Sequence, residues 1–323
     1  MDGMVDEADE VLLDVDDPET LPLPNLGAGC VWDPNNFSCS FDAVFMVFYS
    51  MYGQSDQTWR DAWRAESPEW NVPLGNLFDL LLSTTINNSP PQERSLWFSR
   101  CRDVFRSQVT KSNPTLFPHG RRFAPAGGIL QRILGGTSAE PLAYQNLICS
   151  GCGVERNNIR FSLSYLSLPF NLKGLHNHQD PTILPLQVAL TRYLNKHSRE
   201  PNSVHKACHI CQARWDIHSF HVVETSWIWF ELNGHEQSIL PSLELGHHPP
   251  AMQSMYTLQA IIYLGGGHFT ARMRNGPNMW WGHDGQWRFG IPRAEVIVDE
   301  EELRHFHGRV PAFLIYRRGD AGG

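Results

Sequence analysis

Two Cys-x-x-Cys pairs, Cys149-Ser-Gly-Cys152 and Cys208-His-Ile-Cys211, stand 55 residues apart and constrain this chain more than any other feature. Each pair can wrap one side of a tetrahedral metal, so four thiolates predict a closed, structural zinc site. Such a site forces the chain to leave and return to one place. The stretch between the pairs contains a strand-like run at 161–168 and a helix-like run at 183–195, which predicts an inserted subdomain clamped at its roots. His205, His209, His218 and His221 lie nearby. With four thiolates available they are read as bystanders.

With seven cysteines, four of them in those pairs, the pattern points to metal binding or catalysis rather than disulfides. The sequence shows neither a basic-then-apolar leader nor twenty uninterrupted apolar residues, so no signal peptide and no membrane span are expected. An intracellular protein, cytoplasmic or nuclear, is the expectation. Of 34 acidic residues, nine fall in the first twenty positions, which have no Lys or Arg; 25 remain against 26 bases. Residues 1–29 therefore read as an acidic, disordered leader. The near-neutral remainder, without a lysine-rich stripe, argues against nucleic acid as a partner.

Near the C-terminal end, residues 256–271 run YTLQAIIYLGGGHFTA. This is an apolar strand breaking into glycines that deliver His268, a histidine placed to serve as a general base. Asn275-Gly276-Pro277 marks a turn, and a two- to three-residue turn there pairs position 268 with 283 or 284. Asp284 is the carboxylate at that place, able to fix the imidazole tautomer; His283 is a second candidate. Trp280, Trp281 and Trp287 are read as core.

The nucleophile candidate is Cys39, just before a run with apolar residues at 41, 44, 45, 48, 51 and 52. That spacing predicts a largely buried helix beginning near Ser40. A cysteine at a helix N-terminus gains from unpaired amides and the dipole, which favour thiolate. Alternatively Cys39 is a small buried hydrophobe. Asn35 and Asn36 are candidate oxyanion donors.

In this order, a Cys at a helix start, a four-cysteine insertion, Gly-His-aromatic and a carboxylate sixteen residues later, the chain resembles the ubiquitin-specific protease family. Similar stretches include Ser164–Pro169, Leu184–Leu190, His221–Leu232 and Val310–Arg318, so the likeness spans about residues 30–318. It implies an α+β, papain-like cysteine protease: helical thumb at about 30–145, zinc-ribbon β fingers at about 146–225 and a β-rich palm at about 226–320. The resemblance makes Cys39 the nucleophile, His268 the base, Asp284 its orienting acid, and Cys149, Cys152, Cys208 and Cys211 the ligands of one zinc. Gly266 and Gly267 would admit a tail without side chains, and the implied reaction is hydrolysis after the C-terminal diglycine of ubiquitin. Departures are specific. Pro34 stands where the family has its oxyanion asparagine, Asp42 follows the nucleophile as in SUMO-directed relatives, and 123–134 lacks the carboxylates that face the arginines of the ubiquitin tail. A SUMO-directed isopeptidase and a silent module that binds such modifiers are the alternative readings.

Overall fold

The helix α1, Cys39–Gln54, is buried from Cys39 to Tyr52, as an all-round apolar helix must be. It begins one residue before the expected position. The computed structural model describes residues 27–134, 143–161, 165–167, 186–199, 207–222, 226–232, 239–245 and 254–319. Residues 1–26 of the expected leader, His205, and parts of the stretches at 164–169, 184–190 and 221–232 lie outside these.

Around α1 gather α2 (Gln57–Glu66), α3 (Pro68–Leu82), the short α4 (Thr84–Asn87), α5 (Pro91–Ser112) and α6 (Ala126–Leu134). Asp56 caps α2 by accepting from the Trp59 amide, which satisfies one of the orphan donors of that helix start. Phe45, Tyr49, Tyr52, Trp63 and Phe78 pack edge-on, tilted or stacked inside this helical unit.

The remaining chain is mostly sheet. A three-stranded antiparallel sheet consists of β1 (Ala143–Cys149) between β2 (Glu155–Phe161) and β4 (Trp215–Val222). The larger sheet contains β3 (Tyr165–Ser167), β5 (Trp227–Glu231), β6 (Ser242–Leu245), β7 (Ser254–Gly265), β8 (His268–Arg274), β9 (Met279–His283), β10 (Arg293–Val296) and β11 (Val310–Arg318). Its main path runs β10-β9-β8-β7-β11-β5-β3, with β6 on β7. One face carries Trp229, Ile262, Met273 and Phe313 into the core shared with the helices. The opposite face buries Phe230, Ile261, Tyr263 and Leu314 with α7 (Leu186–Arg199). The result is an α+β architecture with a helical thumb, a β palm and a cysteine-bearing β finger.

Two local differences from the sequence expectation have physical causes. The stretch between the knuckles is not all finger: β3 pairs in parallel with β5 of the palm, and Leu186, Leu190 and Leu194 of α7 join the palm core. Also, β8 and β9 pair as Ala271↔His283 through Arg274↔Trp280, so His268 is not directly opposite residue 283 or 284. The turn is centred further along the chain: Asn275 N–H closes it onto Met279 O at 2.7 Å, which puts its middle at Pro277, with Gly276 at φ 130°. Asp284 therefore lies beyond the end of β9 and approaches His268 through the bend that follows.

Candidate active site

Cys39 occupies the first helical position of α1, where amides have no intrahelical partner. Burial raises its thiol pKa, and the charge of Asp42 adds to this; the backbone N–H groups of Phe269, Ser40 and Cys39 itself pull it down. Phe269 is the neighbour of His268, and α1 packs against β8, the strand that His268 opens.

His268 is buried, and its Nε2 lies 2.8 Å from Asp284 Oδ1. With the carboxylate as acceptor, the ring proton belongs on Nε2, which leaves the Nδ1 lone pair for another proton. Asp284 also accepts from the Gln286 amide at 3.0 Å. Burial pushes its carboxyl pKa up, but the His268 and Gln286 hydrogen bonds outweigh that and hold it well below the usual carboxylate range. The indole of Trp32 meets the His268 ring edge-on at 6.1 Å, an apolar cover beside the histidine.

The glycines before His268 have a backbone role. Gly265 pairs with His268 across the β7–β8 hairpin, and Gly266 and Gly267 form its loop with φ of 59° and 71°. Two consecutive left-handed residues are what a type I′ turn demands. A Cβ on Gly267 would stand 3.5 Å from Phe123, whose ring packs 4.9 Å from Phe37. Phe37, two residues before the cysteine, is itself held at φ 43°, an unusual conformation for a bulky residue.

The two asparagines are placed differently. Asn36 donates its Nδ2 to Asp33 at 2.6 Å and accepts the Gly120 amide at 3.0 Å, so its side-chain amide is already engaged. Asn35 is exposed and accepts from Arg121 at 3.3 Å. His283 is a buried strut: its Nε2 lies 3.1 Å from Cys30 O, and desolvation lowers its pKa to about 4, so it donates as a neutral imidazole. Trp280 is in the palm core and Trp281 packs against the thumb core. Trp287 differs from the expectation: it is half-buried and meets His307 edge-on at 5.7 Å.

Beneath the site, Asp42 and Arg102 form a fully buried ion pair. Ser38 relays from it, donating to Asp42 at 2.8 Å while its hydroxyl accepts the Asp33 amide at 2.8 Å. Between the first turns of α6 and the palm lies a trough of about 590 Å³, lined among others by Pro125, Gly127, Glu231, Leu264, Phe269 and Phe313. Phe269 places one end of this trough beside His268. Glu231, its carboxyl pKa raised by burial, supplies an acidic group there.

Trp32, His307 and Arg309 are not singled out by the sequence, yet all three cluster around the His268–Asp284 pair. None belongs to a spaced motif. The one available signal is the turn-like sequence His307-Gly308-Arg309 just before the closing strand.

At the finger tip, Cys149, Cys152, Cys208 and Cys211 place their sulfurs within 4.8 Å of one another. Sγ of Cys149 is 3.4 Å from that of Cys211, and Sγ of Cys152 is 3.7 Å from that of Cys208, close to the roughly 3.8 Å edge of a tetrahedron with Zn–S bonds of about 2.3 Å. The Gly151 and Ile210 amides each point at a knuckle sulfur at 3.4 Å, which stabilises thiolate charge. The donor set fits zinc, and no histidine joins it among the described residues.

No helix among the described residues is long and apolar enough to cross a membrane. No family model matches the chain, and neither does any curated protein. Among solved structures, the Ubp8-Sgf11-Sgf73-Sus1 SAGA DUB module is similar at TM-score 0.47 and 13% identity, over 92% of this chain and 68% of that one. The Neurospora crassa Pan2 catalytic unit, comprising a protease and nuclease domain, is similar at TM-score 0.49 and 11% identity, over 92% of this chain and 57% of that one. The Saccharomyces cerevisiae apo Pan2 pseudoubiquitin hydrolase-RNA exonuclease module is similar at TM-score 0.44 and 12% identity, over 93% of this chain and 56% of that one.

Proposed function

We propose that the chain is a cysteine isopeptidase that releases a ubiquitin-type modifier by Cys39–His268–Asp284 catalysis, with one structural zinc in the finger. The observation that carries this reading is the 2.8 Å bond between His268 Nε2 and Asp284 Oδ1, with His268 opening the strand β8 that packs against α1, the helix that Cys39 begins. His268 Nδ1 takes the thiol proton, and the thiolate attacks the carbonyl carbon of the modifier's last glycine. The resulting oxyanion is held by backbone N–H groups at the start of α1. The same Nδ1–H protonates the departing lysine amine, leaving a thioester. Water then attacks that thioester, returns its proton through His268 and regenerates the thiol.

The trough beside Phe269 suits an extended tail, and Glu231 within it supports a tail that carries a cation, as ubiquitin's does. A SUMO-directed isopeptidase is the runner-up. Zinc, held by Cys149, Cys152, Cys208 and Cys211, supplies folding free energy to the finger and takes no part in the chemistry.

A second reading, a modifier-binding module without turnover, draws on two observations: the raised Cys39 pKa and the engagement of the Asn36 amide by Asp33. Ubiquitin and SUMO bearing C-terminal electrophiles separate the three, with Cys39→Ala as control. A Cys39-dependent adduct with ubiquitin supports the first reading, and one with SUMO alone supports the second substrate. No adduct with either from folded, zinc-loaded protein leaves only the binding module.

A further inference from the structure

Asp284 is gripped on both oxygens. Its Oδ1 takes His268 Nε2 and the Gln286 amide, whereas Oδ2 faces His307 Nδ1 and Arg309 Nη1, each at 3.3 Å. Arg309 is mostly buried, its side chain 15% exposed. Its stem lies on Gly265, where an added Cβ would stand 3.0 Å from Cγ. Nη1 also donates to His307 O at 3.3 Å, and among the described residues Asp284 is the acid at ion-pair distance from it.

We propose that Arg309 is a positioning residue that acts through Asp284, offsetting part of its carboxylate charge from the oxygen turned away from His268, so that the imidazolium formed during the reaction surrenders its proton to the leaving amine. The proposal rests on the Cys39–His268–Asp284 reading above. A carboxylate with no cation behind it stabilises an adjacent imidazolium strongly. A guanidinium against the far oxygen of that carboxylate, at 3.3 Å, opposes the effect.

Other groups around Asp284 leave this role to Arg309. His283 is its chain neighbour but is neutral and turned to Cys30 O. His307 is 39% exposed, where water screens its interaction with the carboxylate. From the thumb, Asp42 Oδ2 approaches Gly285, 3.2 Å from where a Cβ would sit, but Arg102 neutralises it. The Gln286 amide bonds Oδ1 through the backbone, so removing the Arg309 cation leaves the carboxylate aimed at His268.

The test measures labelling of Cys39 by iodoacetamide at pH 7 in the full chain, read by mass spectrometry of the Cys39 peptide and so independent of turnover. Arg309→Gln should favour the thiolate–imidazolium pair and speed labelling several-fold, up to about tenfold. Arg309→Lys, which keeps the charge, should stay within about twofold of wild type. Should the Gln variant fail to fold, Arg309→Met, which retains the stem on Gly265, is read in the same way. Labelling that falls or stays unchanged in Arg309→Gln, while His268→Ala slows it, overturns the Arg309 proposal alone. Labelling indifferent to His268→Ala overturns the underlying reading, and the proposal with it.

Discussion

Arg102 donates to Asp42 in an ion pair sealed from solvent, one helical turn beyond Cys39. Arg102 also reaches Val31 O at 3.3 Å and Asp103 at 2.8 Å, so it ties α5 to the segment leading into α1. Removing it strands a buried carboxylate. Arg102→Met is expected to lose about 3–5 kcal/mol of unfolding free energy, measured by urea denaturation at pH 7.

Two buried groups near the site give opposing pH dependences. For Asp42, burial outweighs the attraction of Arg102 and raises its pKa to about 6; the carboxyl binds its proton more tightly folded than unfolded. Its contribution is full below about pH 4 and is lost as pH rises to about 6. For His283, desolvation lowers the pKa to about 4, so its contribution is full above about pH 6.5 and is lost as pH falls to about 4. The two slopes offset each other in the wild type. Asp42→Asn should leave a profile that rises from about pH 4 to about 6.5, and His283→Gln one that falls, each changing by on the order of 2–3 kcal/mol. Denaturation midpoints at four pH values decide it, and parallel profiles in the two variants would refute the assignment.

Asp284→Asn keeps the shape of the site but presents an amide to His268 Nε2. The expected outcome is a drop of about 10²- to 10⁴-fold in kcat/KM, carried by kcat, with KM for a ubiquitin-derived substrate little changed. A fall in affinity with kcat preserved would place Asp284 in substrate binding instead.

Zinc removal should act locally. Stripping the metal with a strong chelator, or making Cys208→Ser, should raise hydrogen exchange in β1, β2 and β4 while α1 and α5 stay protected, because ligand binding and folding are coupled at the knuckles. Metal release of one equivalent per chain is the accompanying readout. Unchanged exchange in the finger strands would reject a structural metal.

Gly290 sits at φ 70°, and a Cβ there would lie 2.1 Å from Cys30 O, a backbone atom that cannot swing away. Gly290→Ala should therefore lose more than about 2 kcal/mol. Gly153→Ala, at φ 71° with open space around it, should lose only about 1–2 kcal/mol. Comparing their thermal midpoints separates steric conflict from backbone strain.

What residue order discloses depends on the range of each interaction. Cysteine spacing and the helix period are local, so the knuckle pairs and the buried helix at Cys39 are legible, the helix start to within one residue. Residue order reaches the pairing of His268 with Asp284 through a hairpin register that the structure does not have. The carboxylate arrives by a bend after β9, and the two residues meet because that bend is fastened from outside, by the Trp32 amide on Gly285 O at 2.9 Å. Arg309 and His307 are illegible for the same reason: nothing in their neighbourhood along the chain encodes a contact made 23 or more residues away. The transfer of β3 and α7 to the palm is likewise a tertiary choice, made by Leu186, Leu190 and Leu194 finding apolar partners there.

The short parallel strand β3 has one more effect. With three residues against β5, it ends one margin of the main sheet among the described strands, while the opposite margin is the four-residue β10, which carries Arg293 and Glu295. Margins this brief, one of them charged, offer little template for an incoming chain. Among the described strands, where β6 adds only four more edge residues beside β7, the palm thus presents little edge for polymerisation, even though its interior strands are rich in the β-branched and aromatic residues from which fibrils are built.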